Sequence, residues 1–579
     1  MPHTPLLKML RRLAADHRLA LHHRVPVEAI RESREESRLG SGASRRQFLI
    51  GGAAALTTVP WLAGCSDDPA PAGVPAATGP RIAIVGAGIA GLTAALTLAD
   101  KGIASTVYDI SRHRVGGRMV SERGAEPTGC NSCHAAPSTA TNGSWDDGYV
   151  TDVYAELVDS GHTTIRELAG RFGIGLTDAL AAQPAGSSET YYVAGGYYSQ
   201  ADADTDFAAI YDVLQADAEA SGWPVTYAES TAAARALDSM SIRDWLEAKV
   251  PGGASSRLGK LLEAVYCMEY GADITDQSAL NLLSMLSGSP KELAVLGESD
   301  EQFRIKGGVD QLPRAIADHL GLGDVVKQGW EMQALRQESD GTYTLSFAAD
   351  AGAKEVRADV VVLALPFSAL RKLDYAEAGF DALKVRAIQE QGMGRNCKVQ
   401  LQFTKRLWNE TGAWGKSSGT TYSDTGYQLS WEPTRGQTGT SGILVGYNGG
   451  SAAGATKLSH PYGNKGNPDV LADAQTFLTQ IEPVFPGLTA LWNGKAAESK
   501  AEVDPRFNGS YAYYRVGQTQ VFAGYERVRQ GNVFFCGEHT SLENLGFMEG
   551  AASEGKAAAE DIMASLGAAT TRSLRRPLR

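Results

Sequence analysis

Gly86-Ala87-Gly88-Ile89-Ala90-Gly91 places three glycines at the spacing that lets a backbone turn tightly and approach a pyrophosphate. The phosphate charge would rest on free N–H groups at the start of the following helix. Asp109, 18 residues beyond Gly91, is the acid expected to accept ribose hydroxyls. A second constellation, Cys130-Asn131-Ser132-Cys133-His134, matches c-type haem attachment, with two thiols for the vinyl groups and His134 as axial ligand. A disulfide or redox pair, or two free thiols, are the other readings, and no small helical domain surrounds the motif to enclose a haem. Apart from that histidine no metal ligand set is expected. The glycines need particular elements around them. Ile82-Ala83-Ile84-Val85 is an apolar run suited to a buried parallel strand. Leu92, Ala95, Leu96 and Leu98 have helical spacing within 92–101, and Ser105–Tyr108 forms a second strand that delivers Asp109.

With 43% hydrophobic and 21% charged residues, the 579-residue chain is of globular composition. Its formal charge of −12 is unevenly placed, because the first 46 residues carry ten Lys/Arg against five Asp/Glu. Beyond residue 65, 44 basic face 61 acidic side chains. So acidic a body has no electrostatic footprint for nucleic acid or anionic lipid, and its field suits a cationic amine. Ser44-Arg45-Arg46-Gln47-Phe48-Leu49 followed by an uncharged run resembles a Tat export signal. Leu62-Ala63-Gly64-Cys65 resembles a lipoprotein processing site, with Cys65 as the lipidated residue; a plain cleaved signal or an uncleaved anchor stays open. Residues 1–65 are thus expected to be an export leader, placing the protein in the periplasm or anchored on the outer side of a membrane. That route carries folded proteins, whereas haem is attached to unfolded chains after export. Residues 66–80 read as a Pro/Ala/Gly-rich linker and 563–579 as a solvated tail.

Arg114-Val115-Gly116-Gly117-Arg118 is not needed for a nicotinamide site. It resembles the second fingerprint of two-dinucleotide-binding FAD enzymes, and from here the chain is similar to the flavin amine oxidases: monoamine, polyamine and L-amino-acid oxidases. The resemblance continues through 159–174, through Arg304–Leu312, through 330–335 and 359–366, and through Val533–Thr540 and Gly546–Ala551. It implies an α/β fold, a Rossmann-like FAD domain interleaved with an α+β substrate domain. The FAD domain is expected from 81–155, 302–366 and 507–562, and the substrate domain from 156–301 and 367–506. Residues 160–300 read as mainly helical, and 395–450 alternate like an antiparallel sheet.

The same resemblance implies the site. Gly86, Gly88, Ile89, Ala90, Gly91, Asp109, Gly117, Arg118, Gly537, Glu538, Phe547, Met548 and Ala551 would hold FAD, with Met332 as a backbone contact to adenine. Lys398, on an alternating strand leading to Trp408, resembles the lysine that holds a water against flavin N5 and assists the oxygen reaction, and Trp408 is expected in the substrate pocket with Tyr154, Leu157 and Tyr511. Tyr511 would form one wall of an aromatic cage and Phe547 the other, where monoamine oxidases carry tyrosine. Ser510 falls where some monoamine oxidases attach flavin through cysteine, so non-covalent FAD is expected. Tyr154-Ala155 stand where the family often has two glycines, so Tyr154 is expected to crowd the ring. Leu157 stands where one group of L-amino-acid oxidases has a carboxylate-binding arginine, which tilts the reading towards simple amines unless another arginine serves. The implied reaction takes a primary amine or L-amino acid to the imine, released as aldehyde or keto acid with ammonia, while oxygen becomes hydrogen peroxide. A dehydrogenase passing electrons to another acceptor through a CxxCH haem, and a non-redox FAD-dependent isomerase, stay open, as does a homodimer.

Overall fold

The structure is a computed structural model and describes residues 79–123, 145–297 and 299–574, with side chains to 567. The leader, Cys65, most of the linker, Cys130, Cys133 and His134 lie outside the described residues. Strand β1 (Ile82–Val85) leads into helix α1 (Ile89–Ala99), and strand β2 (Thr106–Asp109) follows. Strands β3 (Val326–Gln328), β4 (Val360–Leu363) and β5 (Val533–Phe535) return from distant parts of the chain, and helix α2 (Met548–Leu574) follows β5. The five strands form one parallel sheet in the order β3-β2-β1-β4-β5.

Every residue of β1, β4 and β5 is buried, as a parallel sheet covered on both faces requires. Alternation sorts them between two cores. Ile82, Ile84, Val360, Val362 and Phe534 join Leu92, Leu96 and Ala552 of the two helices. Ala83, Val85, Val361, Leu363 and Phe535 join Leu335, Tyr343 and Phe347 of a three-stranded antiparallel meander, Trp330–Gln337, Tyr343–Ala349 and Gly352–Ala358. Helices α1 and α2 pack backbone against backbone, because a Cβ on Gly555 would lie 2.1 Å from the Ala90 carbonyl oxygen.

The helices between 160 and 300 start on side-chain caps where the sequence offers them. Ser241 and Asp244 form a reciprocal capping box for Ile242–Lys249, and Ser256 caps Arg257–Tyr270. An eight-stranded sheet completes the fold, with Asn396–Phe403 between Trp492–Lys500 and Gly442–Gly449, both antiparallel to it. Asn396–Phe403 alternates between apolar and polar residues, yet all eight of them are buried. Its Val399, Leu401 and Phe403 pack with Val470, Phe477 and Leu478 of helix Pro468–Ile481, and its polar residues occupy the opposite, equally covered face. Leu157–Val158 pairs antiparallel with Phe303–Ile305, setting Arg304 directly opposite Leu157.

Candidate active site

One cavity runs from the carboxyl end of β1 towards the buried polar face of Asn396–Phe403. It is lined at one end by Gly86, Gly88, Ile89, Ala90, Asp109, Gly117 and Arg118. Gly86 has φ +106°, and a Cβ there would lie 2.6 Å from the Ala364 carbonyl oxygen. Helix α1 starts at this wall with no side-chain cap on its first turn, so its N–H groups are left for a ligand. Gly91 does not line the cavity; a Cβ there would lie 2.0 Å from the Gly86 carbonyl oxygen, and its role is to close the turn. The Asp109 carboxylate accepts the Ala87 N–H at 2.7 Å and the Ser111 N–H at 2.8 Å, and burial raises its pKa against those bonds.

The middle of the cavity is tied together by Glu538. One oxygen takes Arg118 at 2.7 Å, and the other takes the Ala512 and Gly546 N–H groups at 3.2 and 3.1 Å. Arg118 also donates to the Ser510 carbonyl oxygen. Gly537, Met548 and Ala551 line the same wall. Glu549 turns away from it and caps another helix, accepting the Thr164 and Ile165 N–H groups at 2.9 Å each at the start of Thr163–Arg171. His539 lines the cavity with both ring nitrogens unpartnered, and burial pulls its pKa down to about 3.

At the far end the cavity meets Lys398, Tyr511, Phe547, Tyr154 and Leu157. Lys398 Nζ lies 2.9 Å from Glu156 Oε2 and 5.1 Å from the centre of the Trp431 ring. Glu156 also takes Arg304 at 2.8 Å and the Trp431 indole N–H at 2.8 Å. Burial pushes its carboxyl pKa up, but Arg304 and Lys398 outweigh that and hold it below the usual range. Asp152, 3.9 Å from Arg304, goes the other way: burial, with Glu156 adding, raises it to about 6 against the pull of Arg304. The Tyr511 hydroxyl donates to the Met268 carbonyl oxygen at 3.0 Å and lies 3.1 Å from that of Tyr447, whose ring meets Trp431 edge-on at 5.3 Å. Phe547 lines the cavity and meets the His162 ring at 5.2 Å. Tyr154 is anchored by its hydroxyl near Asp504 at 3.3 Å and lies edge-on to Phe507 at 5.8 Å.

One expected site residue lies elsewhere. Trp408 is fully buried among Phe403, Leu444 and Phe485, and its indole donates to Glu432 at 2.9 Å. It belongs to the helix-covered side of the sheet, and Trp431 is the tryptophan of the cavity. The Met332 side chain packs with Tyr108 and Phe347 beneath the parallel sheet, and the contact to adenine expected of this residue is one of its backbone. Sequence reasoning missed Glu156, Trp431, Tyr447, Glu269 and Glu301, all of which line the cavity, and the part played by Arg304. Glu156, a charge between Tyr154-Ala155 and Leu157, was the one local signal. Tyr447 is the cross-strand partner of Lys398, and no sequence feature announces that register.

Comparison with known proteins decides the family. The pattern described as "Flavin containing amine oxidoreductase" matches residues 89–563. The chain belongs to that family. It is similar to an L-amino-acid oxidase of Siganus canaliculatus, 23% identical over 84% of this chain and 85% of that protein. It is also similar to polyamine oxidase 3 of Oryza sativa subsp. japonica, 26% identical over 45% of this chain and 51% of that protein. Among solved structures, cyclohexylamine oxidase from Brevibacterium oxydans IH-35A superposes with a TM-score of 0.68 at 22% identity, covering 84% of this chain and 99% of that one. A putrescine oxidase bound to putrescine superposes with a TM-score of 0.66 at 21% identity over the same shares. The fold is that of the flavin amine oxidases, and the protein is an amine oxidoreductase whose family implies FAD. The residues present fit that group: an uncapped helix start beside side-chain-free glycines, an organised Asp109 carboxylate, Arg118, and the unpartnered imidazole of His539 on one continuous cavity wall.

Proposed function

We propose that this flavin amine oxidoreductase is an exported oxidase. It would convert an amine or amino acid, with oxygen and water, to the aldehyde or keto acid, ammonia and hydrogen peroxide. The observation that carries the reading is the placing of the Tyr447–Tyr511 pair and the Lys398–Glu156 ion pair on the cavity that also holds the dinucleotide cradle. Bound FAD supplies a two-electron acceptor for the hydride leaving the carbon that bears nitrogen. The protein's own residues orient and dry the reactants. Tyr511 and Tyr447, fixed by each other and by the Met268 carbonyl, offer an amine a rigid polar edge. Trp431 and Phe547 add apolar wall that excludes water. Lys398 is held in place by Glu156, as a group that assists the oxygen reaction must be.

Ser510 is a hydroxyl residue whose side chain donates to Asn396 Oδ1 at 2.5 Å, which supports non-covalent FAD. The leader is proposed to take the folded, FAD-loaded chain through the Tat route, with Cys65 as lipid anchor. The decisive experiment mixes the purified protein anaerobically with a panel of amines and L-amino acids, follows bleaching of flavin absorbance, then admits air. The proposal expects bleaching followed by rapid recovery with one peroxide per substrate, and slow recovery in Lys398→Met. Bleaching without peroxide would make the enzyme a dehydrogenase, to be checked for a pyridine haemochrome. A flavin that nothing bleaches would defeat the proposal.

A further inference from the structure

Among the described residues five carboxyl side chains line the first cavity: Asp109, Glu156, Glu269, Glu301 and Glu538. Three are committed. Asp109 takes two backbone N–H groups, Glu156 takes Arg304, Lys398 and Trp431, and Glu538 takes Arg118 and two N–H groups. Glu269 and Glu301 are the other two, and among the described residues neither carboxyl has a hydrogen-bond partner. Both are half-buried, so the cavity reaches them. Enclosed polar groups ordinarily find partners, so two bare carboxyls on one wall mark a place where a proton is handled.

Their positions make a path. Glu269 lies in the last turn of helix Arg257–Tyr270, beside Met268, whose carbonyl oxygen takes the Tyr511 hydroxyl at 3.0 Å. Burial raises the pKa of the Tyr447 and Tyr511 hydroxyls, and the charge of nearby Glu269 adds to it, so this carboxyl stands close to the wall an amine would meet. Tyr266 and Tyr270 of its own helix feel the same charge. Glu301 stands where the first cavity meets a second of about 1050 Å³, with Leu157, Thr420 and Trp431 also lining both. Its backbone, at φ +46°, is held there by the N–H it donates to Asp159 at 3.0 Å. The second cavity opens to solvent, since Leu180, Glu189, Lys291 and Glu292 of its wall are exposed. Burial raises Glu269 to about 7, with Asp159 adding, and Glu301 to about 8, with Glu269, Asp159, Glu189 and Glu156 adding. Tyr422 and Arg435 also lie within reach of the Glu301 charge. A base serves best when its pKa is near the working pH, and both carboxyls fall there.

We propose that Glu269 takes the proton that an arriving ammonium must lose, and that Glu301 passes it to the second cavity and solvent. This step rests on the amine-oxidation reading and supplies it with a base and an exit. The ammonium N–H bond breaks, its electron pair stays on nitrogen as the neutral amine, and the proton bonds to a Glu269 carboxylate oxygen. The carbon bearing nitrogen then loses hydride, with two electrons, to the flavin of that reading and leaves as the protonated imine. One proton per turnover is left on Glu269, and Glu301 carries it outward.

The test follows anaerobic flavin reduction by benzylamine, phenethylamine, cadaverine and L-phenylalanine in the wild type, Glu269→Gln and Glu301→Gln, with phenol red reporting the released proton. In Glu269→Gln the second-order rate of reduction should fall at least about tenfold at about pH 7, and the deficit should close near about pH 10, where much of the amine arrives already neutral. In Glu301→Gln bleaching should outrun the appearance of the proton, which coincides with it in the wild type. In the resting enzyme, the infrared difference between about pH 6 and about pH 9 should show a protonated-carboxyl band that each variant reduces. A loss in Glu269→Gln that is equal at every pH, no loss at all, or a loss confined to cadaverine, which would make Glu269 a seat for a second ammonium, would overturn the proposal. A carboxyl band untouched by either variant would overturn it too. A flavin that none of the four bleaches would remove the amine-oxidation reading and this step with it, whereas bleaching with any of the overturning results removes the step alone.

Discussion

Glu156→Gln is the sharpest test of how the reacting end is built. Glu156 and Lys398 have side chains exposed by 2% and 5%, so solvent screening does not weaken their pairing. Glutamine keeps an acceptor for the Trp431 indole but removes the charge that answers both Lys398 and Arg304. Asp152 then remains as the facing carboxylate, 3.9 Å from Arg304. Removing one partner of a buried pair costs about 3–5 kcal/mol, and two dependent cations place this case near about 4 kcal/mol. Lys398→Met alone is expected to cost about 3 kcal/mol, because it strands Glu156 while Arg304 still answers it. The double variant should fall short of the sum by about 2 kcal/mol, the coupling of groups in direct contact. Equilibrium urea unfolding of the FAD-loaded protein, read by tryptophan fluorescence with unchanged slope, measures all three. A loss below about 1 kcal/mol in Glu156→Gln, or a coupling below about 0.5 kcal/mol, would show that the ion pair does not organise the site.

Gly555→Ala should weaken FAD binding, measured by flavin fluorescence on dilution, and lower stability by about 1–3 kcal/mol, because its Cβ must displace the Ala90 backbone; an unchanged FAD affinity would refute the close approach. Glu549→Ala should cost about 1–2 kcal/mol in urea unfolding by uncapping Thr163–Arg171, and a loss under a few tenths would refute that role. Glu269 and Glu301 are raised by burial to about 7 and about 8, so between about 5 and those values both stay largely protonated in the folded chain where they would ionise unfolded. Stability should therefore fall as pH climbs from about 5 towards about 8. Glu301→Gln should flatten the upper part of that profile, measured by urea unfolding across this range; an unchanged profile would place the titration elsewhere.

The dinucleotide end of the site was legible because its chemistry is local. A buried strand, a glycine turn and an acid at the next strand end need only a run of about 30 residues to declare themselves. The reacting end is assembled differently, from strand registers between distant segments. Lys398 meets Tyr447 across one ladder, and Leu157 meets Arg304 across another. Resemblance located Lys398 and Tyr511, but it carried no information about neighbours that this chain supplies from its own strands. Trp408 shows the same limit in reverse. An alternating strand ordinarily divides buried from exposed residues. Here both faces of Asn396–Phe403 are covered, and alternation divides an apolar core from a polar one. Lys398, Gln400 and Gln402 are therefore buried polar groups that must find partners, and Lys398 and Gln400 reach back to the Asp152 carbonyl oxygen at 3.5 and 3.3 Å. Burying the polar face brings 152–157 against Lys398, and that contact turns Glu156 from a loop charge into the centre of the ion-pair network. A sheet with one solvated face would have left Lys398 exposed and Glu156 with Arg304 as its remaining cation, whatever motifs the sequence carried.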